Sequence, residues 1–140
     1  MSAAGDLAHY LADRVPELEG RVYPLLGRQG EPHPCLIYQQ DSDEPGYELA
    51  GDAGYSELQL SYTVWSDDYT QCERVLDQVR LVLEAVADRT IGDTPIDVVL
   101  ADGGEADGVE IIDGAATGRL SKSQAFFVRY FRPAALAPGV

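Results

Sequence analysis

Cations are scarce in this sequence, as are cysteine, histidine and long apolar runs, and each shortage argues against a class of function. Ten Lys and Arg stand against twenty-four Asp and Glu, leaving a formal net charge of −14. Proteins that grip nucleic acid neutralise phosphates with clustered cations, whereas here only Arg129 and Arg132 form a local pair. A direct DNA or RNA binder is therefore not expected. No apolar run approaches the roughly twenty residues a membrane-crossing helix needs, so no membrane partner is expected either. Met1 to Asp13 lack the basic start and apolar stretch of a secretory signal, which points to synthesis in a reducing cytoplasm.

Cys35 and Cys72 stand in unrelated contexts, and in a reducing compartment they read as buried free thiols, not as a disulfide. With only His9 and His33 beside them, no converging set of transition-metal ligands is visible. His33, between Pro32 and Pro34, is a loop residue. Asp41, Asp43 and Glu44 resemble the start of a calcium loop, as do Asp102, Glu105 and Asp107. Neither run has the alternating ligands, the terminal Glu or the flanking helices of a calcium hand, so both read as solvated acidic turns. No nucleophile elbow, protease cysteine signature, phosphate-binding loop or dinucleotide fingerprint occurs. The pair Gly103-Gly104 is flanked by acids that would repel a phosphate. No cofactor, no metal and no catalytic residue is expected, and a small hydrolase is the weakest reading of the chain.

What is present is ordinary globular material. Hydrophobic residues make up 45% of the chain, enough to offset the entropy of ordering one domain of this size. Leu7, Tyr10, Leu11 and Val15 recur at helical spacing before Pro16, predicting a short helix that ends near Arg14. Arg21 to Pro24 is a short extended piece, Gly27 to Pro34 a loop, and Cys35 to Gln40 a strand. The acidic, Gly-containing stretch from Asp41 to Gly54 reads as a projecting hairpin or loop. From Glu57 to Trp65 apolar and polar residues alternate, placing Leu58, Leu60, Tyr62 and Val64 on a buried face and Trp65 on the wet one. Ser66 or Asp67 then caps the strongest helix, with acids in its first turn and an apolar stripe of Tyr69, Cys72, Val75, Leu76, Val79, Val82, Leu83 and Val86. Pro95 to Leu100 and Val109 to Ile112 read as two strands of a hairpin closed by Ala101 to Glu105. A small, polar loop from Gly114 to Ser123 leads to the strand Ala125 to Phe131, apolar on both faces and so expected to be central.

This order predicts an α+β domain over residues 1-133, a mostly antiparallel β-sheet with one long and one short helix packed on one face, and a flexible tail over 134-140. Three pieces in order then resemble the tail terminator, or tail completion, family of long-tailed bacteriophages, the head-to-tail joining proteins. They are Arg21-Val22-Tyr23-Pro24, Pro34-Cys35-Leu36-Ile37-Tyr38, and the strand-into-helix unit from Leu58 to Val86 in which Leu60-Ser61-Tyr62-Thr63-Val64-Trp65-Ser66 is the most specific part. The resemblance implies a structural virion protein and no reaction. It implies a homo-oligomeric ring, typically a hexamer, that caps the tail tube and joins it to the head connector, with DNA only passing through the lumen. The tail tube protein and the connector would then be its partners. The candidate interface or lumen loops are the acidic ones: Asp41, Asp43, Glu44, Glu48 and Asp52 in the first, Asp102, Glu105 and Asp107 in the second, with Trp65 beside them. The charge alone supports one alternative, an acidic DNA mimic that inhibits a nucleic-acid-binding protein by imitating phosphates.

Overall fold

The computed structural model describes residues 2–25, 34–48 and 51–132, and the side chains of all of these except 47, 48 and 51–53. The expected loop over Gly27 to Pro34 lies outside this set but for its last residue, and the expected tail over 134-140 lies wholly outside it. Helix α1 runs from Ala3 to Arg14, opened by Ser2, whose Oγ accepts a hydrogen bond from the Gly5 N–H at 3.0 Å. A single 3-10 turn, Pro16–Leu18, follows it. Strands β1 (Val22–Pro24), β2 (Cys35–Glu48) and β3 (Gly51–Ser66) precede the second helix, α2 (Tyr69–Glu84). Strands β4 (Thr90–Ile91), β5 (Thr94–Ile112) and β6 (Ala115–Phe131) complete a six-stranded sheet of order β1-β2-β3-β6-β5-β4.

The α+β class stands, but the sheet is mixed, not the mostly antiparallel one expected. β1 lies parallel to β2, with Val22 opposite Leu36 and Pro24 opposite Tyr38, while the pairs further along are antiparallel. Three residues of β1 carry no directional signal, and its parallel seat is held by long-range bonds. The Leu36 N–H donates to the Arg21 carbonyl at 2.9 Å and the Leu25 N–H to the Tyr38 carbonyl at 2.8 Å.

Alternation along β3 works as the pattern predicts: Leu58, Leu60, Tyr62 and Val64 are buried, and they meet Cys72, Val75, Leu76, Val79 and Leu83 of α2 in one cluster with Leu7 and Leu11 of α1. From β6, Phe126 and Val128 enter the same cluster, so this strand is central as expected. The cap of α2 is Asp68, whose carboxylate accepts from the Thr70 N–H at 3.0 Å, and the first turn holds no acid. Ser66, one of the two expected caps, instead accepts from the Asp68 N–H at 3.1 Å and bonds Gln71. Tyr69 departs from the stripe and lies at the surface, for a reason given below.

The largest departure lies between residues 94 and 131. The expected hairpin with its turn at Ala101 to Glu105 does not form; β5 is one continuous strand, and the expected loop from Gly114 to Ser123 is the first half of β6. The chain reverses at Asp113-Gly114, both at positive φ (53° and 79°), the conformation of the two-residue turns that match strand twist. Ala101 to Glu105 instead forms a bulge: Asp102 pairs with Ala125 and Ala106 with Ser123, so β5 carries extra residues there, with Gly103 at φ 80°. Bulges of this kind bend and twist a strand without ending it.

Cys35 and Cys72 are both buried free thiols, and Cys72 bears on stability. Its Sγ lies 3.5 Å from the Leu120 carbonyl oxygen, and burial, helped by Asp68, pushes the thiol from an ordinary 9.0 up to about 11. Because the folded pKa is the higher one, the neutral thiol contributes stability that is complete below pH 9 and lost as pH rises towards 11. The urea midpoint is expected to fall across this window by the equivalent of about 2–3 kcal/mol, and Cys72→Ala should flatten that slope. Burial shifts Tyr62 upward too, so the residual loss in the variant should begin only above pH 10.

Candidate assembly surface

Beyond the body of the sheet, β5 and β6 continue as a two-stranded arm. Residues 101–118 are exposed, apart from a half-covered Glu110. The two-stranded part begins beyond Ser66 and Leu120, the last β3–β6 pair, and comprises residues 109–119; about four residues of strand rise give it a reach of roughly 13 Å. Its base is clamped to α2. Lys122 lies 3.1 Å from Glu105 and 3.8 Å from Glu73, and its Nζ stands 5.2 Å from the centre of the Tyr69 ring. The Tyr69 hydroxyl donates to Asp107 at 3.0 Å and accepts from Lys122 at 3.3 Å. Glu105 and Tyr69 accordingly hold the Lys122 ammonium well above the usual lysine range. Tyr69 is therefore the strut between helix and arm, which explains why it leaves the core stripe.

A second clamp works on the other face of the sheet. Arg119 pairs with Glu110 at 3.6 Å, lies 5.5 Å from the Trp65 ring centre and reaches within 3.6 Å of the Cys35 sulfur. Arg119, Glu110 and Trp65, together with Ile37 and Thr63, line a shallow depression of about 280 Å³ on the side away from the helices. Gly118, at φ 88°, stands where β6 carries extra residues opposite Glu110, a bulge that turns the arm at the tip side of the second clamp. Replacing Lys122 by Glu would put a fourth carboxylate beside Glu73, Glu105 and Asp107. Amide exchange across 105–121 is expected to speed up about tenfold while the core amides stay protected, a difference that hydrogen-exchange mass spectrometry reads directly.

The acidic residues singled out from the sequence do not lie on two loops. Asp41, Asp43 and Glu44 belong to β2, and Asp102, Glu105 and Asp107 to β5; the backbones of Glu48 and Asp52 pair with Gly51 and Tyr47 at the end of the β2–β3 hairpin, their side chains lying outside the described set. Several are engaged within the chain. Asp41 accepts from the Ser61 hydroxyl at 2.6 Å, and Asp43 from the Tyr130 hydroxyl at 2.7 Å. Glu105, Asp107 and Trp65 come together at the two clamps, while Asp41, Asp43 and Glu44 sit towards the opposite end of the sheet, where Glu44 pairs with Glu57. Missed by sequence reasoning were Tyr69, Lys122, Arg119 and the tip residues Ile111, Ile112 and Asp113. The Asp113-Gly114 dipeptide between Ile-Ile and Ala-Ala was the signal that could have revealed the tip.

Among the described residues no group of three His, Cys, Asp or Glu is placed to hold a metal ion, and no helix is long and apolar enough to cross a membrane. No protein-family model matches the chain, and neither does any curated protein. A second solved chain, 16% identical and covering 92% of each, reaches a TM-score of only 0.39. A chain of the virion of native gene transfer agent (GTA) particle superimposes with a TM-score of 0.59 over 94% of this chain and 98% of that one, at 11% identity, a likeness of fold across nearly the whole of both.

Proposed function

We propose that the chain is a structural component of a phage-like virion, a tail terminator that closes the tail tube with a ring of its own copies, six in the typical case, and presents the surface to which the head connector joins. The observation that carries this reading is the fold shared end to end with a chain of a gene transfer agent virion. The ordered motifs from Arg21 to Val86 support it independently of the fold. The role is mechanical, with no reaction. An arm that projects from a compact body suits it, because an arm extends a subunit's reach to a neighbour without enlarging the core. In a ring around a DNA passage the net charge of −14 would keep phosphates from adhering to the wall. A DNA mimic needs acids free to face a partner's cations, and here Asp41, Asp43, Glu105 and Asp107 already have partners within the chain.

Deleting the gene from its parent particle is the test. Tails of irregular length that fail to join filled heads, together with recovery of the chain at the head-proximal end of wild-type tails by immunogold labelling, are the expected results. Normal particles lacking the chain would refute the proposal.

A further inference from the structure

Two unusual surfaces lie towards opposite ends of the molecule, and each has what the other lacks. The first is the arm tip. Ile111 is 61% exposed and Ile112 42% exposed, large apolar side chains in water at the end of a two-stranded ribbon. Asp113 beside them is exposed and, unlike Glu105, Asp107 and Glu110 further down the arm, has no hydrogen bond or ion pair among the described residues. The second is a groove of about 340 Å³ on the helix layer, lined by Tyr10, Arg14, Leu81, Val82, Ala85 and Arg89. Leu81 is 63% exposed there.

The cations of the groove are exceptional. Arg21, Arg74, Arg80, Arg119, Lys122 and Arg129 each pair with a carboxylate of the chain. Among the described residues Arg14 and Arg89 do not: Arg14 stacks on Tyr10 at 4.7 Å, and Arg89 makes only backbone hydrogen bonds. In a chain with more than twice as many acids as bases, two cations without an ion pair beside an exposed leucine form a seat for an acidic, apolar ligand. Asp13 and Asp88, their sequence neighbours, are not among the lining residues.

We propose that the arm tip of one copy docks in this groove of the next, with Ile112 covering Leu81 and the Asp113 carboxylate placed between Arg14 and Arg89. The inference rests on the ring-forming role proposed above and names its contact. Geometry prevents a chain from satisfying its own groove. The arm passes α2 at Tyr69, the first residue of that helix, and runs on outward, while Leu81, Val82 and Ala85 lie at the other end of the helix. Two different patches at opposite ends of one subunit make a heterologous, head-to-tail contact, the kind that closes into a ring when the rotation per subunit fits. Apolar burial supplies affinity, and the charge pairing sets register and orientation.

Cross-linking the full chain tests the contact. The two native cysteines are buried, so chains carrying Ile112→Cys and chains carrying Leu81→Cys are mixed at high concentration and oxidised. Disulfide-linked mixed pairs are expected, and a chain with both substitutions should give a ladder of multimers. In sedimentation, Asp113→Arg is expected to weaken self-association about tenfold or more, as is Arg89→Asp, while Asp113→Arg with Arg89→Asp restores it. Both sites are exposed, so circular dichroism should show every variant folded. A cross-link of Ile112→Cys to itself alone, the absence of any cross-link, or a double variant no better than the singles would overturn the docking. Its failure is separable from failure of the virion role. A chain found at tail ends without the 81–112 cross-link keeps the role and loses the contact, whereas a cross-linked multimer absent from particles does the reverse.

Discussion

Replacing Leu76 by Asp is expected to abolish the fold, leaving no cooperative thermal transition and far-ultraviolet circular dichroism close to that of an unfolded chain. Leu76 is 1% exposed in the middle of α2, within the cluster that holds Leu58, Leu60 and Val79. Two costs combine at this position. Removing the leucine side chain forfeits its burial and leaves a void, worth about 2–5 kcal/mol in leucine-to-alanine changes. An ionised carboxylate left there without a partner costs several kcal/mol more, or forces its own protonation at a similar cost. Natural domains of this size hold about 5–15 kcal/mol in reserve, so the sum consumes most or all of it. Leu76→Ala separates the terms: it should remain folded and lose only the first. If Leu76→Asp melted within a few degrees of the parent protein, the helix could not be packed on the sheet as described.

What made this helix legible was its period. Cys72, Val75, Leu76, Val79 and Leu83 fall on one stripe, and burial follows that stripe. Strand β3 was legible for the same reason, with a period of two. Its two-faced neighbour β6 was marked out by apolar residues on alternate and intervening positions alike. In these elements local pattern and global packing agree. Direction is not a local property. Val22–Pro24 reads as extended whichever way it pairs, and it is long-range pairing with Leu36 to Tyr38 of β2, flanked by the bonds at Arg21 and Leu25, that makes it parallel.

The arm shows a different limit. Three Asp-Gly dipeptides occur within thirteen residues, at 102-103, 107-108 and 113-114, and only the last turns the chain. At 103 the positive φ is absorbed in a bulge. At 108 the glycine leaves room for the Ser121 hydroxyl, which a Cβ there would meet at 2.5 Å. Which dipeptide turns is decided by pairing with residues 115–131, a long-range choice invisible to turn chemistry. With the turn misplaced, the acids appeared as loop residues, and the partners that anchor them, Lys122 and Tyr69, went unnoticed. Tyr69 fitted the helical stripe too well to be suspected of another duty.

Phe126→Ala is expected to cost about 3–5 kcal/mol, the largest loss from any single truncation that still leaves folded protein. Phe126 is fully buried on the central strand β6, opposite Leu60 of β3 and Ala101 of β5, so the void would lie where three strands meet beneath α2. Its ring meets Tyr62 edge-on at 5.8 Å and 70°, a pairing worth about 0.5–1.5 kcal/mol beyond area burial. Backbone bonds on both sides of β6 resist collapse into the space, which places the expected cost towards the upper end of the range. Phe126→Leu, which retains most of the volume, should recover more than half of the loss, and urea denaturation of the three proteins with unchanged m-values would establish the ranking. The same truncation should leave the arm tip intact, because residues 109–118 take no part in the core. A folded Phe126→Ala chain would therefore still form the cross-link between positions 81 and 112, making stability and assembly separately measurable in one molecule.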